Sequence, residues 1–134
     1  MKKIIFVLAL ISILFASCKK DSPRKVEKML EEGNWKITYF DEKGTIKSET
    51  YLGDVFTFKN DQVVNATHSS TSFEGTWECS KSDGNTIFSL DMKNPSEFLN
   101  ISKDWKVIEK TDVSLKLSFL ENDGKMDYLN FDKN

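Results

Sequence analysis

Three kinds of side chain in this 134-residue chain could take part in chemistry: two thiols, Cys18 and Cys79; one imidazole, His68; and carboxylates in close pairs. Cys18 follows an apolar run, Ile4 to Ala16, broken only by Ser12, and stands behind the small residues Ala16 and Ser17. A thiol is a nucleophile, and small neighbours leave the backbone beside it open to approach. Cys79 alternates with Phe73 and Trp77, which puts it on an apolar face, and burial there makes a thiol inert. His68 lies in the polar stretch Asn65-Ala66-Thr67-His68-Ser69-Ser70-Thr71, a hairpin or loop, and reads as a solvated loop residue. A single histidine cannot build a His-rich metal site, and a triad would need a nucleophile beside it. Acid–base work needs two carboxyls converging on a pocket with separated pKa values. The pairs here, Glu31 with Glu32, Asp41 with Glu42 and Glu121 with Asp123, fall in turns or at a helix end and read as solvated. Glu121-Asn122-Asp123-Gly124 lacks the ligand series and closing Glu of a calcium loop. No catalytic residue, metal ligand or cofactor is assigned, and the expected protein is not an enzyme.

The apolar run is too short to span a bilayer, which takes about 20 residues. Behind Met1-Lys2-Lys3 it has the length and flanks of a signal peptide. Phe15-Ala16-Ser17-Cys18 resembles the bacterial lipobox, with Phe15 where the motif usually has Leu. The resemblance implies cleavage before Cys18, diacylglycerol on its sulfur and acylation, commonly with palmitate, of the freed amine. Two or more acyl chains hold stably, at about 0.8 kcal/mol per buried CH₂. Residues 1–17 are then a signal peptide and 18–22 a lipidated tether. Lys19 follows the cysteine where inner-membrane lipoproteins carry Asp, so the expected location is the outer membrane, on its periplasmic face or at the cell surface.

The remaining domain, 23–134, suits one unit. Without Lys2 and Lys3, 17 basic residues face 21 acidic ones. That balance offers no basic patch for nucleic acid. With Cys18 lipidated, Cys79 has no intramolecular partner, so the fold must stand on packing. Eight Phe, three Trp and three Tyr supply the core.

A helix is expected over 23–32, with Ser22 as cap, Pro23 in the first turn, Val26, Met29 and Leu30 on one face and Gly33 as terminator. From Trp35 the period is two. Strands are expected around Trp35–Phe40, Val55–Phe58, Gln62–Ala66, Phe73–Cys79, Thr86–Asp91, Trp105–Ile108, Leu115–Phe119 and Met126–Phe131. Asn94-Pro95-Ser96-Glu97 reads as a break. Eight strands joined by short loops imply an all-β fold, an antiparallel up-and-down barrel with a short N-terminal helix; a β-sandwich is the alternative. Glu74, Glu78, Lys36 and Lys116 on the polar face argue against a membrane-spanning barrel.

Gly33-Asn34-Trp35 resembles the Gly-x-Trp entry of lipocalins. Gly75-Thr76-Trp77, Trp105-Lys106-Val107, Leu115-Lys116-Leu117 and Leu129-Asn130-Phe131 resemble, in order, the small lipocalin-like lipoproteins of the Bacteroidetes type. The resemblance implies that Gly33 and Trp35 close one barrel end. It also implies a basic side chain over the Trp35 ring, with Lys133 and Lys125 as candidates. Phe56, Phe58, Phe73, Trp77, Phe88, Trp105 and Phe119 then face inward, as core or as the wall of a site for a small apolar ligand. Two functions stay open. One is an outer-membrane-anchored lipoprotein binding a small hydrophobic molecule. The other is a cell-envelope interaction or inhibitor module with a solid core.

Overall fold

The computed structural model describes residues 22–134. The apolar run, Cys18 and the tether up to Asp21 lie outside the described residues.

Helix α1 (Pro23–Leu30) begins where Ser22 Oγ accepts the Lys25 amide at 3.4 Å. Val26, Met29 and Leu30 are buried. The helix is shorter than the expected 23–32. The Glu32 amide reaches back only three residues to Met29, and Gly33 turns left-handed at φ 84°. The Trp35 indole N–H then donates to the Leu30 carbonyl at 2.9 Å. One of the unpartnered carbonyls at a helix end is thereby satisfied by the first strand residue.

The strands are β1 (Trp35–Glu42), β2 (Thr45–Ile46), β3 (Val55–Phe58), β4 (Val63–His68), β5 (Thr71–Ser82), β6 (Asn85–Asp91), β7 (Asp104–Lys110), β8 (Ser114–Leu120) and β9 (Met126–Lys133). From β3 to β9 each pairs antiparallel with the next. β9 returns to β1 over a ladder from Trp35↔Lys133 to Glu42↔Asp127, so the sheet closes. That ladder excludes the sandwich and leaves an eight-stranded barrel. The ninth strand, β2, is a two-residue arm folded back on β1 through Lys43-Gly44, both at positive φ. This turn geometry matches the strand twist.

The seam between β1 and β3 is the weakest closure. They pair only at Trp35↔Phe56. Further along, the Phe40 amide donates to Ser48 Oγ at 2.9 Å and the Phe40 carbonyl accepts from the Lys47 amide at 2.8 Å. A 3₁₀ turn, Ser48–Tyr51, follows. The segment read as a break at Asn94–Glu97 instead leads into a one-turn helix, α2 (Ser96–Leu99). Tyr51 and Phe98 from these two irregular segments are fully buried.

Within β5, Gly75 lies where the end of β6 passes closest. A Cβ there would sit 2.4 Å from the Asp91 carbonyl oxygen and 2.5 Å from Met92 Sδ. Backbone cannot yield as a flexible side chain can. Gly75→Ala is expected to cost about 1–3 kcal/mol, the range of overpacking, read as a lower urea midpoint at unchanged m-value. An unchanged midpoint would show that β6 is not held against β5 here.

Candidate functional site

The barrel interior is built by alternate positions of the strands. Phe56 and Phe58 come from β3, Trp77 from β5, Phe88 from β6, Trp105 from β7 and Phe131 from β9, all buried. Their rings meet across the axis. Phe58 lies 5.2 Å from Trp77, 5.7 Å from Phe88 and 5.7 Å from Phe131, each edge to face. Phe88 and Phe131 complete the triangle at 6.1 Å. These are ring contacts at their preferred separations. Phe73 and Phe119, expected on the same wall, are only partly buried. Phe73 packs on Phe98 at 6.3 Å and Phe119 on Trp105 at 6.0 Å.

At the end where β1 starts, Trp35 is fully buried under α1. Of the two candidate cations, Lys133 lies over it, with Nζ 6.0 Å from the ring centre. Gly33 is held to glycine by its φ of 84°; a Cβ would also meet Lys133 Cε at 2.8 Å, but that is the far part of a flexible side chain and can move aside. Trp77 caps the neighbouring turn, its indole N–H donating to the Lys59 carbonyl at 3.0 Å.

The opposite end, where β4 finishes, carries the titratable cluster that sequence reasoning missed. His68 is not a solvated loop residue. It is the last residue of β4, partly buried, because Ser69 and Ser70 both take positive φ and turn the chain in two residues. Its Nδ1 is 2.8 Å from Oδ2 of Asp54, which is buried. Its Nε2 is 3.9 Å from Glu97 Oε2, and its ring meets Phe98 edge-on at 5.4 Å. Burial pushes the Asp54 carboxyl up from its ordinary value; the His68 hydrogen bond and charge pull it back, and Glu97 pushes it up. The two carboxylates address opposite ring nitrogens, so they do not converge on one point. Among the described residues no group of three or more His, Cys, Asp or Glu could hold a metal ion.

A second buried network lies near the same end. Asp127 is fully buried and accepts from Lys103 Nζ at 2.5 Å and from the Lys43 amide at 2.9 Å. Lys103 also reaches Glu121 at 2.8 Å and lies over the Trp105 and Phe119 rings. Burial alone would pull Lys103 down, but hydrogen bonds and charges from Asp127 and Glu121 outweigh it and hold the ammonium above the usual lysine value.

The other carboxylates expected to be solvated are partly engaged. Glu42 pairs with Lys47 at 2.5 Å, Asp41 accepts the Gly44 amide at 2.8 Å, and Asp123 pairs with Lys43 at 3.3 Å. The Lys125 amide holds Asp123 below the ordinary carboxylate range. Cys79 is partly buried against the core, and burial pushes its thiol well up. Its thiolate form is therefore suppressed.

Two openings lie on the outside of the barrel. One, of about 470 Å³, lies along the weak seam and is lined by Ile37, Thr38, Leu52, Asp54 and Val55 among others. Leu52 is 85% exposed at its edge. The other, of about 460 Å³, lies over β5 and β6 and is acidic, with Asp61, Glu78, Asp91 and Asp104 around Trp77. Neither is lined by Phe56, Phe58, Phe88 or Trp105.

No protein-family profile matches the sequence, and no curated protein does. Among solved structures, the chain is similar to a DUF4847 family protein from Bacteroides vulgatus. The TM-score is 0.58 at 18% identity, over 81% of this chain and 97% of that one. What the two chains share is the fold.

Proposed function

We propose that this protein is a lipid-anchored lipoprotein of the outer membrane, without catalytic activity, whose barrel serves as an interaction module with a filled core. The anchor rests on the lipobox resemblance at Phe15 to Cys18, and the observation that supports the filled core is the ring contact across the axis, with Phe58, Phe88 and Phe131 pairwise 5.7–6.1 Å apart. A lipocalin-type ligand would have to occupy that space. The openings of ligand size lie outside the barrel instead, where a protein partner can reach them. Nothing in the side-chain chemistry favours an enzyme. Both His68 nitrogens are directed at carboxylates, and the Cys79 thiol is held protonated.

Native mass spectrometry of the full chain, released gently from detergent, tests the filled core. The expected mass is that of the processed, acylated polypeptide alone. A stoichiometric small apolar adduct would overturn the reading in favour of a ligand carrier. The anchor has its own test. Cys18→Ala is expected to leave the chain unprocessed or free of the membrane, and to abolish labelling by a palmitate analogue. If the variant still fractionates as a mature membrane lipoprotein, Cys18 is not the lipidated residue.

A further inference from the structure

The barrel end away from α1 is closed by two flaps that belong to different parts of the chain. One is 47–54, with its 3₁₀ turn; the other is 92–102, with α2. They meet through the Tyr51 hydroxyl, which donates to the Glu97 carbonyl at 2.8 Å, and through Tyr51 stacked on Phe98 at 6.2 Å. His68 belongs to neither flap. It stands on the end of β4, paired with Thr71 of β5, and touches both flaps at once. Asp54 comes from the first and Glu97 from the second.

We propose that His68 is a proton-operated clasp: as an imidazolium it ties Asp54 of one flap and Glu97 of the other to the barrel rim, and as a neutral ring it holds Asp54 alone. The argument is one of donors. Neutral imidazole has a single N–H. With that proton on Nδ1, facing the buried Asp54 at 2.8 Å, Nε2 presents a lone pair to the Glu97 carboxylate 3.9 Å away. Protonation turns that mutual repulsion into an ion pair. The flap at 92–102 is therefore the one that loosens when the proton leaves.

The charges around His68 agree with this order of events. From the first flap, Asp54 faces it; the Tyr51 hydroxyl, bonded to the Glu97 carbonyl, is kept protonated by burial and by the charges of Glu42, Asp54 and Glu97. From the second flap, Glu97 faces it. Thr71, opposite on β5, carries no charge. A carboxyl raised in the fold holds its proton more tightly than in the unfolded chain, so ionised Asp54 costs stability as the pH climbs past its ordinary range. His68 offsets that cost most fully while it is itself charged.

Amide hydrogen exchange of the full chain in detergent micelles tests the clasp. Protection factors, corrected for intrinsic exchange, are measured from about pH 5 to about pH 8, where an imidazole changes charge. The His68 ring is followed by NMR in the same samples. The expected result is a roughly two- to fivefold loss of protection at 96–102 in step with His68 deprotonation, the range of one partly exposed ion pair. Amides of the β4–β5 ladder should not move. Glu97→Gln, at an exposed side chain, keeps the fold and should abolish the pH-dependent loss. Protection at 96–102 that ignores the His68 titration, or a loss that persists in Glu97→Gln, would overturn the proposal.

Discussion

Phe58→Ala is expected to destabilise the protein by about 3–5 kcal/mol, the range for a large aromatic removed from a packed core. For a domain of this size that corresponds to a Tm drop on the order of 10–20 °C. Phe58 earns this rank by position. Its ring is buried and meets Phe56, Trp77, Phe88 and Phe131, each from a different direction or strand. Truncation removes its own transfer free energy and leaves four rings facing a void they can fill only in part. Thermal unfolding followed by tryptophan fluorescence reads the effect, since Trp77 lies 5.2 Å away. A loss below about 1 kcal/mol, typical of a surface site, would mean that the interior is loose.

The second large effect belongs to a charge. Lys103→Met is expected to cost about 3–5 kcal/mol, because breaking a buried pair strands the remaining ion. That ion is Asp127, fully buried, which among the described residues keeps the Lys43 amide as partner. Adding Asp127→Asn should restore part of the loss, with a coupling of about 0.5–3 kcal/mol in a double-mutant cycle. Urea unfolding at neutral pH measures all three variants. Additive losses would show that the two side chains act independently. The same pair sets an alkaline limit. The Lys103 pKa is raised in the fold above the ordinary 10.5. Its contribution is thus complete below 10.5 and fades as the pH rises through the folded value. Lys103→Met should lack that alkaline component.

Alternation made most of the barrel legible before any coordinates. Phe56 and Phe58, Trp77, Phe88, Trp105, Leu115 and Leu117 are inward at a period of two, and all are buried. Closure was legible only as a count of strands; the β1–β9 ladder joins residues about a hundred positions apart. The alternation misleads at strand ends. A register shift between Val107 and Glu109 leaves Glu109, the next position in the inward period, exposed, and Phe73 and Phe119 lie only partly buried. It is silent on Tyr51, Met92, Phe98 and Ile101, fully or almost fully buried residues in segments without a period.

The His68 cluster was hidden for a local reason. Asn65 to Thr71 is polar because the outward face of a strand can be, and Ser69-Ser70 lacks the Asn-Gly type of signature that marks a two-residue turn. The stretch therefore reads as hairpin or loop without a choice between them, and it is a hairpin of strand, turn and strand. Asp54 and Glu97 lie 14 residues before and 29 after His68 in sequence, and only the two flaps bring them together. Lys103 and Asp127 likewise meet only because β7 and β9 both flank β8. Propensity carries no information about such meetings.

The filled interior is tested most directly by crystals pressurised with xenon. An apolar cavity of atomic size takes up xenon even when it stays dry. Phe58→Ala supplies the positive control, because truncating that ring opens such a cavity among Trp77, Phe88 and Phe131. The expected result is a xenon site inside the variant barrel and none inside the unaltered one. A well-occupied xenon atom among Phe58, Phe88 and Phe131 of the unaltered protein would contradict the filled core and return the barrel to the role of ligand carrier.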